Sequence, residues 1–100
     1  MQKHRQLPLP KTVAFDVDGT LISGSTVNGR IVSLLREYKS SGFEVVVWSM
    51  RGTDYAKRAV DLAGVGAEVD CVISKPGVIV DDKGWTWVRD TKVISSARVC

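Results

Sequence analysis

Hydrophobic and polar positions fall into alternating strand-type and helix-type blocks along the chain. Thr12-Val13-Ala14-Phe15 is a β-rich run that continues through Val17 and halts at Gly19, which predicts a first strand. Between Gly29 and Ser41 the apolar residues Ile31, Leu34, Leu35 and Tyr38 recur at i, i+3, i+4 and i+7, and Gly42 stands where a helix end favours glycine. Phe43 to Trp48 is nearly continuous in apolar character, as a strand buried on both faces should be. Ala56, Ala59, Val60 and Ala63 repeat the helical spacing, with Thr53 as the expected cap and Gly64 as the stop. Val78-Ile79-Val80 predicts a further strand that runs straight into Asp81-Asp82. This alternation implies an α/β protein with a mostly parallel sheet.

Two stretches fit the pattern less well. Val69 to Ile73 reads as a strand, yet only Ser74-Lys75-Pro76-Gly77 separates it from Val78. A parallel crossover takes about a dozen residues or more, so this stretch is either a short edge strand or the crossing itself. Trp85, Trp87 and Val93-Ile94 suit a last strand and a short helix equally. Residues 1–10, charged early and proline-rich late, read as a loose N-terminal arm that includes His4, leaving 11–100 as one domain.

Composition narrows the class. Hydrophobic residues make up 44% and charged residues 25%, a globular profile. The longest apolar run, Val45 to Trp48, is far short of the ~20 residues of a membrane span, so no membrane partner is expected. The basic N-terminus is followed by Leu7-Pro8-Leu9-Pro10 and not by an apolar stretch, so no secretory leader is expected and a cytoplasmic location follows by default. Cys71 and Cys100 form no CxxC pattern and define neither a disulfide framework nor a zinc site, and reduced thiols are expected. A net charge of +3 favours anionic substrates slightly without identifying one.

The chemistry concentrates in Phe15-Asp16-Val17-Asp18-Gly19-Thr20. Residues two apart on an extended chain point to the same side, and carboxylates so placed repel unless a cation or proton lies between them. Hard oxygen donors of this kind suit magnesium, which takes one or two carboxylates, several waters and substrate phosphate. For Asp-x-Asp alone, two surface aspartates in a strand-end turn would be the plainer reading. The full run through Leu21 resembles the opening motif of the haloacid dehalogenase-like (HAD) superfamily, and of its phosphatases in particular: an apolar strand followed by Asp-x-Asp-Gly-Thr.

Three later positions agree with that resemblance in order. Val45-Val46-Val47-Trp48-Ser49 is similar to the family's strand ending in Ser or Thr, which makes Ser49 the candidate to hold a phosphate oxygen; alone it would be a turn or capping serine. Lys75 falls where the family supplies a basic residue, although Pro76-Gly77 argues against the helix that often presents it, and Lys57 and Arg58 are the fallback candidates. Val78-Ile79-Val80-Asp81-Asp82 resembles the motif whose paired acids complete the Mg2+ site, giving Asp16, Asp18, Asp81 and Asp82 as metal residues. The resemblance spans Lys11 to Asp82. It implies a minimal Rossmann-like, mostly parallel sheet with helices on both faces and no cap domain.

The activity implied is a magnesium-dependent phosphatase with Asp16 as nucleophile and Asp18 as acid and base, assisted by Ser49 and Lys75. Too few residues lie between the motifs for a cap. In this family an open site goes with macromolecular substrates, nucleic acid or phosphoprotein, or with closure by a partner; nucleotide or polynucleotide ends are the sharper expectation. Trp85 and Trp87 could stack on a base, but core packing is the favoured role. Arg51 could contact phosphate or form a surface ion pair. The competing reading from another class is a phosphoryl-binding or scaffolding module with little turnover, or a subunit whose site a partner completes.

Overall fold

The computed structural model describes residues 9–99. His4 and most of the N-terminal arm, together with Cys100, lie outside the described residues. The elements are β1 (Thr12–Asp16), β2 (Ile22–Ser23), β3 (Thr26–Val27), α1 (Gly29–Ser40), β4 (Glu44–Ser49), α2 (Thr53–Ala63) and β5 (Cys71–Ser74), followed by 3-10 helices at Gly84–Asp90 and Ser96–Arg98. The main sheet has the order β1-β4-β5. β1 runs parallel to β4 from Thr12↔Glu44 to Asp16↔Trp48, and β4 runs parallel to β5 from Val46↔Cys71 to Ser49↔Ser74. This is a minimal Rossmann-like α/β fold. Only the β2-β3 hairpin stands between β1 and α1, and only α2 and a short connection between β4 and β5, so neither place at which the resemblance would put a cap domain holds one.

The register decides which face of the sheet is dry. Val13 pairs with Val45, Phe15 with Val47, and Val47 with Val72. These residues line one face, where they join Ile31, Val32 and Leu35 of α1 and Ala56, Ala59 and Val60 of α2 in a single core cluster. The helical spacing of those residues is thus the spacing of the buried stripe. Asn28 caps α1, its side chain accepting from the backbone N–H groups of Arg30 and Ile31. α2 departs from expectation: Gly52 occupies the cap and Thr53 is already helical, with no side-chain cap bond.

The layering also differs from the expected helices on both faces. α1 and α2 pack against the same row because β1, β4 and β5 advance across the sheet in one direction, and crossovers of one hand then put both helices on one side. The opposite face carries Ala14, Val46, Trp48, Cys71 and Ile73, none of them in the core cluster.

Val69 to Ile73 resolves as the start of a short edge strand, Cys71–Ser74, with Val69 packed against the core just before it. The strand expected at Val78-Ile79-Val80 does not form; Val78 is 83% and Val80 96% exposed. Geometry explains this. A fourth parallel strand beside β1 must restart at the far end of the sheet, so the chain must run back about 10 Å along β5 and also about 14 Å sideways past β4 and β1, a diagonal of about 17 Å. The four steps from Ser74 to Val78 span at most about 14 Å.

In the C-terminal part the short-helix alternative holds for Trp85 and Trp87, which lie in the 3-10 helix Gly84–Asp90, and no strand forms there among the described residues. Trp85 is 75% exposed with the Arg89 guanidinium 5.5 Å from its ring centroid, and Trp87, half-buried, is outside the core cluster, so neither takes the favoured packing role. Val93 and Ile94 are exposed in irregular chain. The segment is tied down further on, where Val99 packs on the core and the Ser96 hydroxyl donates to the Gly19 carbonyl at 3.0 Å.

Candidate active site at the carboxyl edge of the sheet

Three parallel strands end at one edge, and in open α/β sheets that edge is where ligands gather. Asp16 is the last residue of β1 and Ser49 the last of β4, while Lys75 directly follows β5. The Lys75 N–H donates to the Ser49 carbonyl at 2.9 Å, carrying the β4-β5 pairing one step past the strand. Asp16, Ser49 and Lys75 therefore come to the same edge, with Asp18 two residues beyond; for Lys75 the sequence leaves this open.

They do not share a face. Asp16 pairs with Trp48 on the face away from the helices, and the Lys75 ammonium lies 6.0 Å from the Trp48 ring centroid on that side. Ser49 alternates to the helix face and is 2% exposed. Its Oγ accepts from the Arg51 N–H at 3.0 Å, the turn role open to any strand-end serine, while a hydroxyl keeps one hydrogen to donate.

After Asp16 the chain folds into a tight loop. The N–H of Leu21 donates to the Asp16 carbonyl at 3.3 Å, those of Thr20 and Ile22 to the Val17 carbonyl at 3.1 Å each, and that of Gly19 to the Ile22 carbonyl at 2.8 Å. Val17 and Leu21, both fully buried, anchor the loop in the core. Gly19 takes φ +75°, a left-handed conformation that costs glycine nothing, and Asp18 is left exposed at the tip.

Asp18 has partners that the sequence reading missed. The Tyr55 hydroxyl donates to Asp18 Oδ1 at 2.6 Å. Arg51 Nη1 lies 3.5 Å from Asp18 Oδ2 and donates to the Tyr55 oxygen at 3.3 Å, with its guanidinium carbon 4.2 Å from the Tyr55 ring centroid. Arg58 reaches the same ring at 5.9 Å, whereas Lys57 is exposed on α2. The hydrogen bond to Asp18 holds the Tyr55 phenol above its usual 10.0; partial burial adds to this, and the Arg51 charge opposes it. The signal available in sequence was the i, i+4 spacing of Arg51 and Tyr55 immediately after the strand that ends in Ser49.

Asp81 and Asp82 stand apart from this edge. Without the Val78 strand they are exposed in irregular chain, where Asp81 Oδ1 accepts from the Lys83 N–H at 2.8 Å and shapes the entry to the 3-10 helix. Lys83 in turn pairs with Asp90 at 3.0 Å, chiefly through which its ammonium is held above the usual 10.5. Among the described residues no three His, Cys, Asp or Glu side chains form a group that could hold a metal ion. Asp16 and Asp18 are the part of the expected set that stays together, and two hard oxygen donors are within what magnesium accepts.

A separate open depression of about 840 Å³, lined by Ser23, Thr26, Asn28, Arg30 and Ser33, lies beside the start of α1. Among the described residues no helix is long and apolar enough to cross a membrane. Compared with known proteins, the chain matches no family model, no curated protein and no solved structure.

Proposed function

We propose that this chain is a phosphatase of the HAD type, acting on phosphate monoesters at the carboxyl edge of its sheet. The observation that carries the reading is the arrival of Asp16, Ser49 and Lys75 at the ends of three adjacent parallel strands, with Asp18 at the tip of an anchored loop. An Asp16 carboxylate oxygen bonds to phosphorus while the bond from phosphorus to the ester oxygen breaks, its electron pair leaving on that oxygen. Asp18 gives the departing oxygen a proton. In the second half Asp18 takes a proton from the water that attacks phosphorus, releasing inorganic phosphate and restoring Asp16. Two easier displacements replace one hard one.

The Lys75 ammonium offsets negative charge on the transferring group, and the Ser49 hydroxyl donates to a phosphoryl oxygen only if the end of β4 opens, since Ser49 is buried on the helix face. Magnesium belongs to the proposal, held by Asp16 and the Asp18 segment; when bound, it neutralises charge on the phosphoryl group. Asp81 and Asp82 join that set only if the 75–82 segment rearranges. An uncapped edge suits a bulky phosphorylated partner, with nucleotide or polynucleotide ends the first class to try. A cytoplasmic setting fits the exposed free thiol of Cys71.

The test is phosphate release from small esters and phosphorylated oligonucleotides, with and without magnesium, for wild type beside Asp16→Asn. Magnesium-dependent release that Asp16→Asn abolishes is expected. Release that survives in the variant refutes the nucleophile. No release from any substrate moves the reading to a phosphoryl-binding module or a subunit completed by a partner.

A further inference from the structure

Resting on the reading above, we propose that Tyr55 is a positioning residue for Asp18, fixing Oδ1 so that Oδ2 is the oxygen presented to the leaving group. Asp18 sits on an exposed loop, and a carboxylate free to rotate would present either oxygen. Tyr55 removes that freedom. Its ring packs against the core from the first turn of α2, a rigid platform, and its hydroxyl meets Oδ1 at 2.6 Å. That is the length of a charge-assisted O–H···O⁻ bond.

Oδ2 is guarded more loosely. Arg51 Nη1 lies 3.5 Å away, beyond hydrogen-bond length, with the Arg51 and Asp18 side chains 64% and 48% exposed. The guanidinium is held independently by the Tyr55 ring beneath it, 4.2 Å from the centroid, so an arriving ester oxygen can displace it from Oδ2 without disturbing the Tyr55 bond.

A misplaced general acid harms only those esters whose leaving group needs a proton. Alkyl phosphates do; nitrophenyl phosphate, whose phenolate departs unaided, does not. Tyr55→Phe keeps the ring and deletes the hydroxyl. We expect kcat/KM on an alkyl phosphate to fall on the order of ten- to a hundredfold, a share of the ~10²–10⁴ that a general acid supplies, with nitrophenyl phosphate within about twofold. A uniform fall on both esters, or no fall on either, overturns the positioning role while leaving the phosphatase reading intact. Wild-type release that persists in Asp16→Asn overturns both.

A second measurement needs no turnover. Urea unfolding of Asp18→Asn, Tyr55→Phe and the double variant reads the contact directly, and the two single losses should exceed the loss of the double variant when summed. Losses that simply add refute the contact on which the role depends.

Discussion

Replacing Gly19 by alanine tests whether the loop that presents Asp18 is held in the conformation its sequence implies. Gly19 takes φ +75°, where an L side chain crowds its own backbone, at a cost of roughly 1–2 kcal/mol. A Cβ built there meets nothing within 4 Å, so no clash adds to this and the backbone term is the whole expected effect. For a domain of this size about 1 kcal/mol moves Tm by roughly 4–8 °C, so Gly19→Ala should melt about 4–16 °C below wild type. Asparagine tolerates the left-handed region better than alanine, so Gly19→Asn should lose less than Gly19→Ala. Gly66 is the control: its φ lies outside the left-handed region, its Cβ position is equally open, and Gly66→Ala should not lower Tm. Thermal unfolding of the three variants measures all of this. A Gly19→Ala that melts with wild type, or no lower than Gly19→Asn, refutes the assigned conformation; a loss well above about 3 kcal/mol means that the added methyl meets neighbours.

Two further perturbations address the scaffold. Leu35, fully buried on α1 in the core cluster, should cost about 2.7–5 kcal/mol in urea unfolding when cut to alanine, and a loss under about 1 kcal/mol would mean that α1 does not cover the sheet there. Asp70 accepts from the Lys39 ammonium at 2.9 Å and from the Val45 N–H at 2.8 Å, and these bonds, Lys39 foremost, hold its carboxyl below the usual 3.8. Because the folded value is the lower one, the stabilisation is complete above the unfolded value and fades as pH falls through the folded one. Wild type should therefore lose stability more steeply than Asp70→Asn from about pH 5 to about pH 2, and equal slopes in urea midpoints would refute the linkage.

What was legible in the sequence is what short-range spacing determines. α1 and α2 were readable because Ile31, Leu35, Ala56, Ala59 and Val60 repeat at the period that lays a stripe on a sheet, and each is buried. β1 and β4 were readable because Val13, Phe15, Val45 and Val47 are strand residues bounded by turns. Which face the helices cover was not readable, since it depends on the order in which strands join the sheet. Val78-Ile79-Val80 failed for a related reason: its composition is that of a strand, but three linking residues cannot return the chain to the far end of a parallel sheet.

The site divides along the same line. Asp16, Ser49 and Lys75 reach one edge, though not one face, because each lies where its own strand ends; spacing announces this for Asp16 and Ser49, while the strand before Lys75 was one of two open alternatives. Asp81 and Asp82 depended on a fourth strand forming beside β1, and without it they serve a local turn. Tyr55 shows the opposite case. Its spacing from Arg51 is a weak signal at best, because its meaning comes from a loop 37 residues earlier in the chain. The proposed acid–base role of Asp18 would thus draw on a residue outside every stretch on which the resemblance rests. A variant that kept Asp16, Asp18, Ser49 and Lys75 but lost the Tyr55 hydroxyl would retain the whole resemblance and still handle its poorest leaving groups badly.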